Sequence, residues 1–421
     1  METSKYVVFA IPIILLMIFI EYSISKIKKR DVYAFSDSVA NLCCGILERL
    51  FDTFFVLLLY FLFDYIQEYI TPFHIPENVT TWFAALIFAD FLAYWHHRLS
   101  HEINFMWAAH GVHHQSEELN MTTVFRVSAL AVIDRAFFFI WLPVVGFTSV
   151  YSISVIIFIG LFQFLTHTRL VAKLGILEYL FVTPSHHRVH HATNKKYIDK
   201  NYGHVFILWD KLFGTFEKET EEPFYGIISG FNRSNVFSAY FSYWKNMFHK
   251  SKATPNRWHK FLIFIKPPGW LPQGTQPDAP IYKTDSNGIR IKYRVKVDIG
   301  LQWYIGINAI VTLLCFYYLS YNRLDFLTIN LIILIVFVIL SVASIGLMLE
   351  KNYSVVFIEY SRLLIIFGCC LFNIFQEYHF MLTILLILSI LMMLIFRHLI
   401  IRVYFNLDLK NQSMFKLNDP K

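Results

Sequence analysis

The sequence predicts an all-α fold, a polytopic membrane helical bundle with a histidine-rich part on its cytosolic face. Three observations carry this reading. Of 421 residues, 56% are hydrophobic and 18% aromatic, with a mean hydropathy of +0.48, and the apolar residues fall in long runs of few charges, as bilayer-spanning helices require. Lysine and arginine gather just outside those runs, where they orient a membrane protein and meet anionic headgroups. Twelve of the 17 histidines lie between His96 and His204, with hydrophobic runs on either side.

The first span is roughly Tyr6 to Tyr22, and Lys26, Lys28, Lys29 and Arg30 follow it. The positive-inside bias puts that basic run in the cytosol and the N-terminus outside. The span lacks a basic leader and a clear cleavage site, so it reads as an anchor and not as a cleaved signal. A second segment, about Leu42 to Phe63, begins amphipathically with Glu48, Arg49 and Asp52 and becomes purely apolar from Phe54. Pro72 and Pro76 mark an outer turn over Asp64 to Val79. A third span, about Thr80 to Trp95, returns to the cytosolic side.

Val127 to Phe147 and Ser149 to Thr166 read as a helical hairpin, crossing or re-entrant, with Pro143 and Gly146 near its turn. Asp134 and Arg135 lie in its first half, where charges face the protein interior. His167 to Asp298 contains no span but a basic region with Lys250, Lys252, Arg257, Lys260 and Lys266. Proline and glycine from Pro267 to Gly274 interrupt that region, and Asp285 to Gly288 reads as a turn. Four apolar segments close the chain, roughly Ile299 to Leu319, Phe326 to Leu349, Val355 to Phe375 and Phe380 to Phe396. Lys351, Arg397 and Arg402 again fall on the cytosolic side, so every histidine cluster shares one face.

The net charge of +7 does not indicate nucleic-acid binding, since the basic residues flank the spans. The five cysteines, Cys43, Cys44, Cys315, Cys369 and Cys370, sit in or beside apolar segments without CxxC spacing. They read as packing residues, not as a disulfide framework or a thiolate metal site.

The stretch from Trp95 to Arg126, WHHRLSHEINFMWAAHGVHHQSEELNMTTVFR, carries six histidines. His97 and His101 are four apart and share one helix face. His110 with His113 or His114, and His187 with His190 or His191, repeat the relation. His110 follows His101 by nine positions, half a turn out of phase, so the two pairs belong to a bent helix or approach a metal from opposite sides. HRLSH, HGVHH and HRVHH supply eight imidazoles and His167 a ninth, whereas one transition ion takes about four to six ligands. Two metals account for that number, so the histidine-rich part reads as a di-metal domain; zinc, iron and copper all suit imidazole. His96 and His186 stand beside ligand positions, about 100° round a helix, and read as supporting groups; His204 is left open. His74, His249, His259, His379 and His398 read as hydrogen-bonding interface residues.

The order HxxxH, HxxHH and later HxxHH resembles the fatty acid hydroxylase and sterol desaturase superfamily of membrane di-iron enzymes. More narrowly, HRLSHEINFMWAAHGVHH, QFLTHT, TPSHHRVHH and IDKNYGHVFILWDKLFGTFE resemble the alkylglycerol monooxygenase family, strongly over Phe88 to Gly226 and more weakly in KPPGWLP and the last spans. The resemblance divides the chain into N-terminal spans (1–78), a di-metal catalytic region (79–226), a basic cytosolic connection (227–298) and a four-span region (299–421). It makes His97, His101, His110, His113, His114, His167, His187, His190 and His191 ligands of two iron ions. Glu102 becomes a functional acid near the site, on the side of a tetrahydrobiopterin electron donor. Asn201, Tyr202, Trp209 and Asp210 form an NYG…WD signature that is functional or folds the metal-binding segment. Arg169 departs from the pattern, where an acid would match better, and the Asp134–Arg135 pair is unexpected.

The implied reaction uses oxygen and tetrahydrobiopterin to hydroxylate the ether-linked carbon of an alkylglycerol lipid, and the hemiacetal collapses to a fatty aldehyde and a glycerol derivative. The implied location is the endoplasmic reticulum of a eukaryote or the inner membrane of a bacterium. Alternatives are a sterol, sphingolipid or fatty acyl hydroxylase or desaturase fed by cytochrome b5 or ferredoxin, and a membrane metal transporter. The transporter would line a path across the bilayer with histidines and acids; here the histidines are stacked on one side.

Overall fold

A computed structural model describes residues 3–228, 234–275, 283–284, 290–292, 295–321, 329–371 and 387. The all-α membrane architecture expected from the sequence is what it has. In chain order the helices are α1 (Thr3–Ile27), α2 (Phe35–Tyr69), α3 (Val79–Glu102), α4 (Asn104–His110), α5 (Ala131–Phe139), α6 (Trp141–Val144) and α7 (Ser149–Thr166). They continue with α8 (Pro184–His190), α9 (Leu208–Phe213), α10 (Val236–Ala253), α11 (Arg257–Ile265), α12 (Ile299–Tyr321), α13 (Ile329–Leu349) and α14 (Val355–Leu371). Two-residue strands, β1 (Lys283–Thr284) and β2 (Arg290–Ile291), pair antiparallel around the expected Asp285–Gly288 turn, which itself lies outside the described residues. So does the expected last span, apart from Ile387.

Among the described residues, four helices are long and apolar enough to cross a membrane: Ala10–Ile27 within α1, α7, α12, and Leu331–Leu349 within α13. α2 joins the charged turn and the apolar run into one unbroken helix of 35 residues. The expected hairpin is corrected in its first half. Nine-residue α5 and four-residue α6 replace a continuous helix, and both are far shorter than the ~20 residues a crossing needs. Pro143 inside α6 and Gly146 at φ +106° break the run, and Thr71 Oγ1 accompanies the break by donating to the Pro143 carbonyl at 2.8 Å.

Chain contacts divide the molecule into two compact units. The larger, residues 9–233 with 238–293, holds the histidine boxes on a core of α2, α3, α5, α6 and α7, where Phe63, Ala89, Ala93, Leu142, Val155 and Ile159 are buried together. The smaller contains α12, α13 and α14. In it Glu359 and Arg362 of α14 pair at 2.5 Å, Arg362 reaches Asn308 of α12 at 2.9 Å, and Tyr304 and Ser344 donate to Glu359. Buried charge inside an apolar bundle is costly unless paired, and this network pairs it.

In the larger unit Arg135 donates to buried Glu48 of α2 at 2.7 Å, while Asp134 stands 3.3 Å from His96. The charges of α5 thus face inward, and Ile133, Phe137 and Trp141 face out.

Candidate metal centre

α3 starts with a capping box at Asn78 and delivers His97 and His101 from its last two turns. At Ile103 the backbone becomes extended (φ −114°, ψ 118°), and α4 restarts in a new direction with His110 at its end. That break resolves the half-turn phase difference: the helix is bent. A 3₁₀ turn, His113–Gln115, follows. Its tight winding sends consecutive rings to different sides, about 120° apart. α8 starts at Thr183 with Pro184 in its first turn and carries His187 and His190, with His191 just beyond.

The nine predicted histidines come together as two groups. One ring nitrogen from each of His97, His101, His110, His114 and His190 lies within 4.8 Å of the others, and His113, His167, His187 and His191 do the same. The groups adjoin, with the His114 and His191 rings stacked at 4.5 Å. HRLSH gives both its rings to the first group, but the other two boxes are split: HGVHH gives His110 and His114 to the first group and His113 to the second, and HRVHH gives His190 to the first and His187 and His191 to the second.

The tautomers point the lone pairs inward. His97 Nδ1 donates to the Tyr202 carbonyl at 2.7 Å, His167 Nδ1 to that of Gln163 at 2.7 Å and His190 Nδ1 to that of Lys200 at 3.0 Å. Each leaves Nε2 as the acceptor. Yet Nε2 of His97 lies 3.1 Å from Nε2 of His110, and Nε2 of His167 lies 2.9 Å from that of His187 and 3.2 Å from that of His113. A backbone bond fixes the tautomer of only one ring in each of these pairs, so a bare pair shares one N–H, and a cation among the rings would take the lone pairs instead. Nε2 of His101 and of His190 are buried without a hydrogen-bond partner among the described residues. The donor set, all nitrogen and dry, fits two transition metals.

Burial holds His110, His113, His114, His187, His190 and His191 well below the ordinary histidine pKa, and neighbouring rings add to the effect. Burial pushes His167 down to about 4. The rings therefore stay neutral and able to ligate in weak acid. Metal-free protein should lose stability as pH falls. Between an unfolded pKa of about 6.5 and the depressed folded values the unfolded chain binds more protons, at up to ~1.4 kcal/mol per pH unit for each ring. Thermal unfolding of chelator-stripped protein at about pH 7.5 and pH 5.5 checks this. A lower midpoint at the acid pH is expected, and equal midpoints would contradict burial of neutral rings.

The NYG…WD segment buttresses the first group. Both Asp210 oxygens take backbone N–H groups, from Tyr202 at 2.7 Å and Gly203 at 2.8 Å, and this fixes the carbonyl that anchors His97. Asn201 crosses to the carbonyls of His186 and Glu217, and Trp209 Nε1 donates to Asp90 at 2.9 Å. A Cβ on Gly203 would stand 2.7 Å from the Phe206 carbonyl, so only glycine fits there. The sequence reading passed over Asp90. From inside α3 it also accepts the N–H groups of Val205 and Phe206, at 2.8 and 3.0 Å. A lone acid within an apolar run was the available signal.

Glu102 belongs to neither group; partly exposed, it pairs with Arg98 at 2.8 Å. His186 accepts from the Thr183 N–H at 3.3 Å and caps α8. His204 packs its ring 5.0 Å from that of His97, and burial pushes it down to about 3. Arg169 binds buried Glu118 at 2.7 Å, so the unexpected cation satisfies an acid brought by another loop.

The fatty acid hydroxylase family model matches residues 82–215. The chain is 32% identical to an alkylglycerol monooxygenase of Homo sapiens over 377 residues, which covers 86% of this chain and 82% of that one. It is 31% identical to the Xenopus tropicalis protein of the same name over 386 residues, 91% of this chain and 84% of that one. An ornithine lipid hydroxylase of Rhizobium tropici is 34% identical over 140 residues, 31% of this chain and 40% of its own. No solved structure matches.

Proposed function

The chain belongs to the alkylglycerol monooxygenase family within the fatty acid hydroxylases, and from that membership we propose that it cleaves the O-alkyl bond of ether lipids as a di-iron monooxygenase. It is a membrane oxidoreductase with metal-binding histidines. The observation that carries the finer reading is the convergence of nine imidazoles as five and four. In this reading His97, His101, His110, His114 and His190 hold one iron and His113, His167, His187 and His191 the other. The iron pair, when bound, supplies oxygen activation. One oxygen atom enters the C–H bond beside the ether oxygen, and the other leaves as water with two electrons from tetrahydrobiopterin and two protons. The hemiacetal then breaks its C–O bond to give a fatty aldehyde and a free glycerol hydroxyl.

The chain's own residues orient and exclude. Carbonyls of Tyr202, Gln163 and Lys200 hold three rings in the ligating tautomer. The apolar faces of α3, α5 and α7 keep water from the rings and suit an alkyl tail. Cytosolic placement follows from the basic residues after each returning span. Purified protein given an alkylglycerol, oxygen and tetrahydrobiopterin should release aldehyde. Turnover of a sterol or acyl lipid with no aldehyde would reject the ether-lipid reading. The match to the ornithine lipid hydroxylase makes acyl C–H hydroxylation the second reading.

Glu102, one residue past His101, is the acid this reading gives to the pterin. Glu102→Gln should raise the KM for tetrahydrobiopterin roughly tenfold, the loss of one charged hydrogen bond, with metal content unchanged. An unchanged KM would remove it from the pterin site.

A further inference from the structure

The segment from Ser234 to Thr275 contains six Lys or Arg residues and no Asp or Glu. Inside it, α11 buries Ile263 against Ala108 of α4 and Met247 of α10. Its other side is apolar and open. Trp258, Phe261 and Ile265 are 63%, 51% and 44% exposed, and their i, i+3, i+7 spacing aligns them as one stripe. Lys252, Arg257, Lys260 and Lys266 lie before, within and just after α11 in sequence and have no carboxylate partner among the described residues.

The level of this helix is fixed by α4. Asn104 Nδ2 donates to the Ile263 carbonyl at 2.7 Å, and the Asn104 N–H donates to the Lys266 carbonyl at 3.1 Å. Asn104 stands two residues beyond the end of α3, whose apolar part ends where the histidines begin. α11 therefore lies level with the histidine-bearing end of α3, beyond the apolar core that α3 shares with α2, α5, α6 and α7. A tryptophan-led apolar stripe flanked by cations is the composition that settles at a membrane–water interface.

We propose that α11 is an interfacial anchor that inserts Trp258, Phe261 and Ile265 among the acyl chains of a bilayer rich in anionic phospholipid, with Lys252, Arg257, Lys260 and Lys266 on its phosphates. The occupant is the membrane surface, because charge complementarity selects anionic phosphate and the apolar stripe needs hydrocarbon. α11 rests on α4, so the anchored face braces the helix that ends at His110. The inference is independent of the reaction catalysed.

Full-length protein in nanodiscs tests it through the fluorescence lost in Trp258→Phe. With acyl-brominated lipid in discs containing phosphatidylserine, that difference signal should be quenched several-fold more than by aqueous acrylamide. Neutral discs or high salt should reduce the quenching, as should Lys260→Glu with Lys266→Glu; each cation near an anionic surface strengthens attachment about fivefold. Phe261→Trp in the Trp258→Phe background gives a second reporter at the same depth. Acrylamide quenching that dominates in anionic discs would overturn the proposal. Protection from both quenchers would assign the stripe to another protein surface, and quenching indifferent to anionic lipid would remove the charge component; either result rejects the anchor as stated.

Discussion

Replacing His187 by alanine is expected to lower bound metal from two ions per chain to one and to lower oxygen-dependent turnover by more than about a hundredfold. Its Nε2 lies between those of His167, at 2.9 Å, and His191, at 3.0 Å, and its group has only four rings. Loss of this ring leaves three donors, too few to close a site built for four, while the five-ring group stays intact. The loss should exceed the 10- to 100-fold that follows removal of a group merely supporting a ligand. The neighbouring residue is the control. His186 caps α8 through Thr183, so His186→Gln should keep both ions and cost only about 1 kcal/mol of stability. Metal quantification on the two purified variants separates the cases. Two ions retained by His187→Ala would break the assignment of the four-ring group.

The HxxxH pairs were legible because the helical repeat alone places residues four apart on one face, and the count of nine rings already called for two ions. How the rings divide was not legible. It depends on the extended residue at Ile103, which has no proline or glycine signal, and on the 3₁₀ turn that sends His113 and His114 to different groups; Gly111 marks the end of α4 before that turn but not the way the rings divide. The break of the first hairpin half at Pro143 and Gly146 was marked in the sequence, and there the error was one of length. Partners far apart in sequence are a third kind. Glu48 with Arg135, Glu118 with Arg169 and Asp90 with residues 205–209 join segments separated by 51 to 119 positions, and no local periodicity encodes them. A charge inside an apolar run announces only that a partner exists.

Arg126 is the most consequential of these hidden partners, and Arg126→Met is expected to empty both metal groups while destabilising the protein by about 3 kcal/mol or more. The side chain is 1% exposed. Its Nε donates to the Val112 carbonyl at 3.1 Å, one Nη to Asn41 at 3.2 Å and the other to Gln115 at 3.0 Å, and Asp37 of α2 lies 3.9 Å away. The guanidinium thus closes the loop of HGVHHQ from within, and that one loop supplies His110 and His114 to the first group and His113 to the second. Methionine matches the length but leaves a dry carbonyl, two dry amides and a half-buried carboxylate without their cation, and the loop must open to hydrate them. Arg126→Lys keeps the charge yet cannot span three acceptors in different directions, so it should fall between wild type and methionine in both thermal midpoint and metal content. Retention of two ions by Arg126→Met at an unchanged midpoint would show that the loop holds its shape through the histidines alone, and would reverse the order of cause assigned here, in which the buried cation shapes the site and the metals fill it.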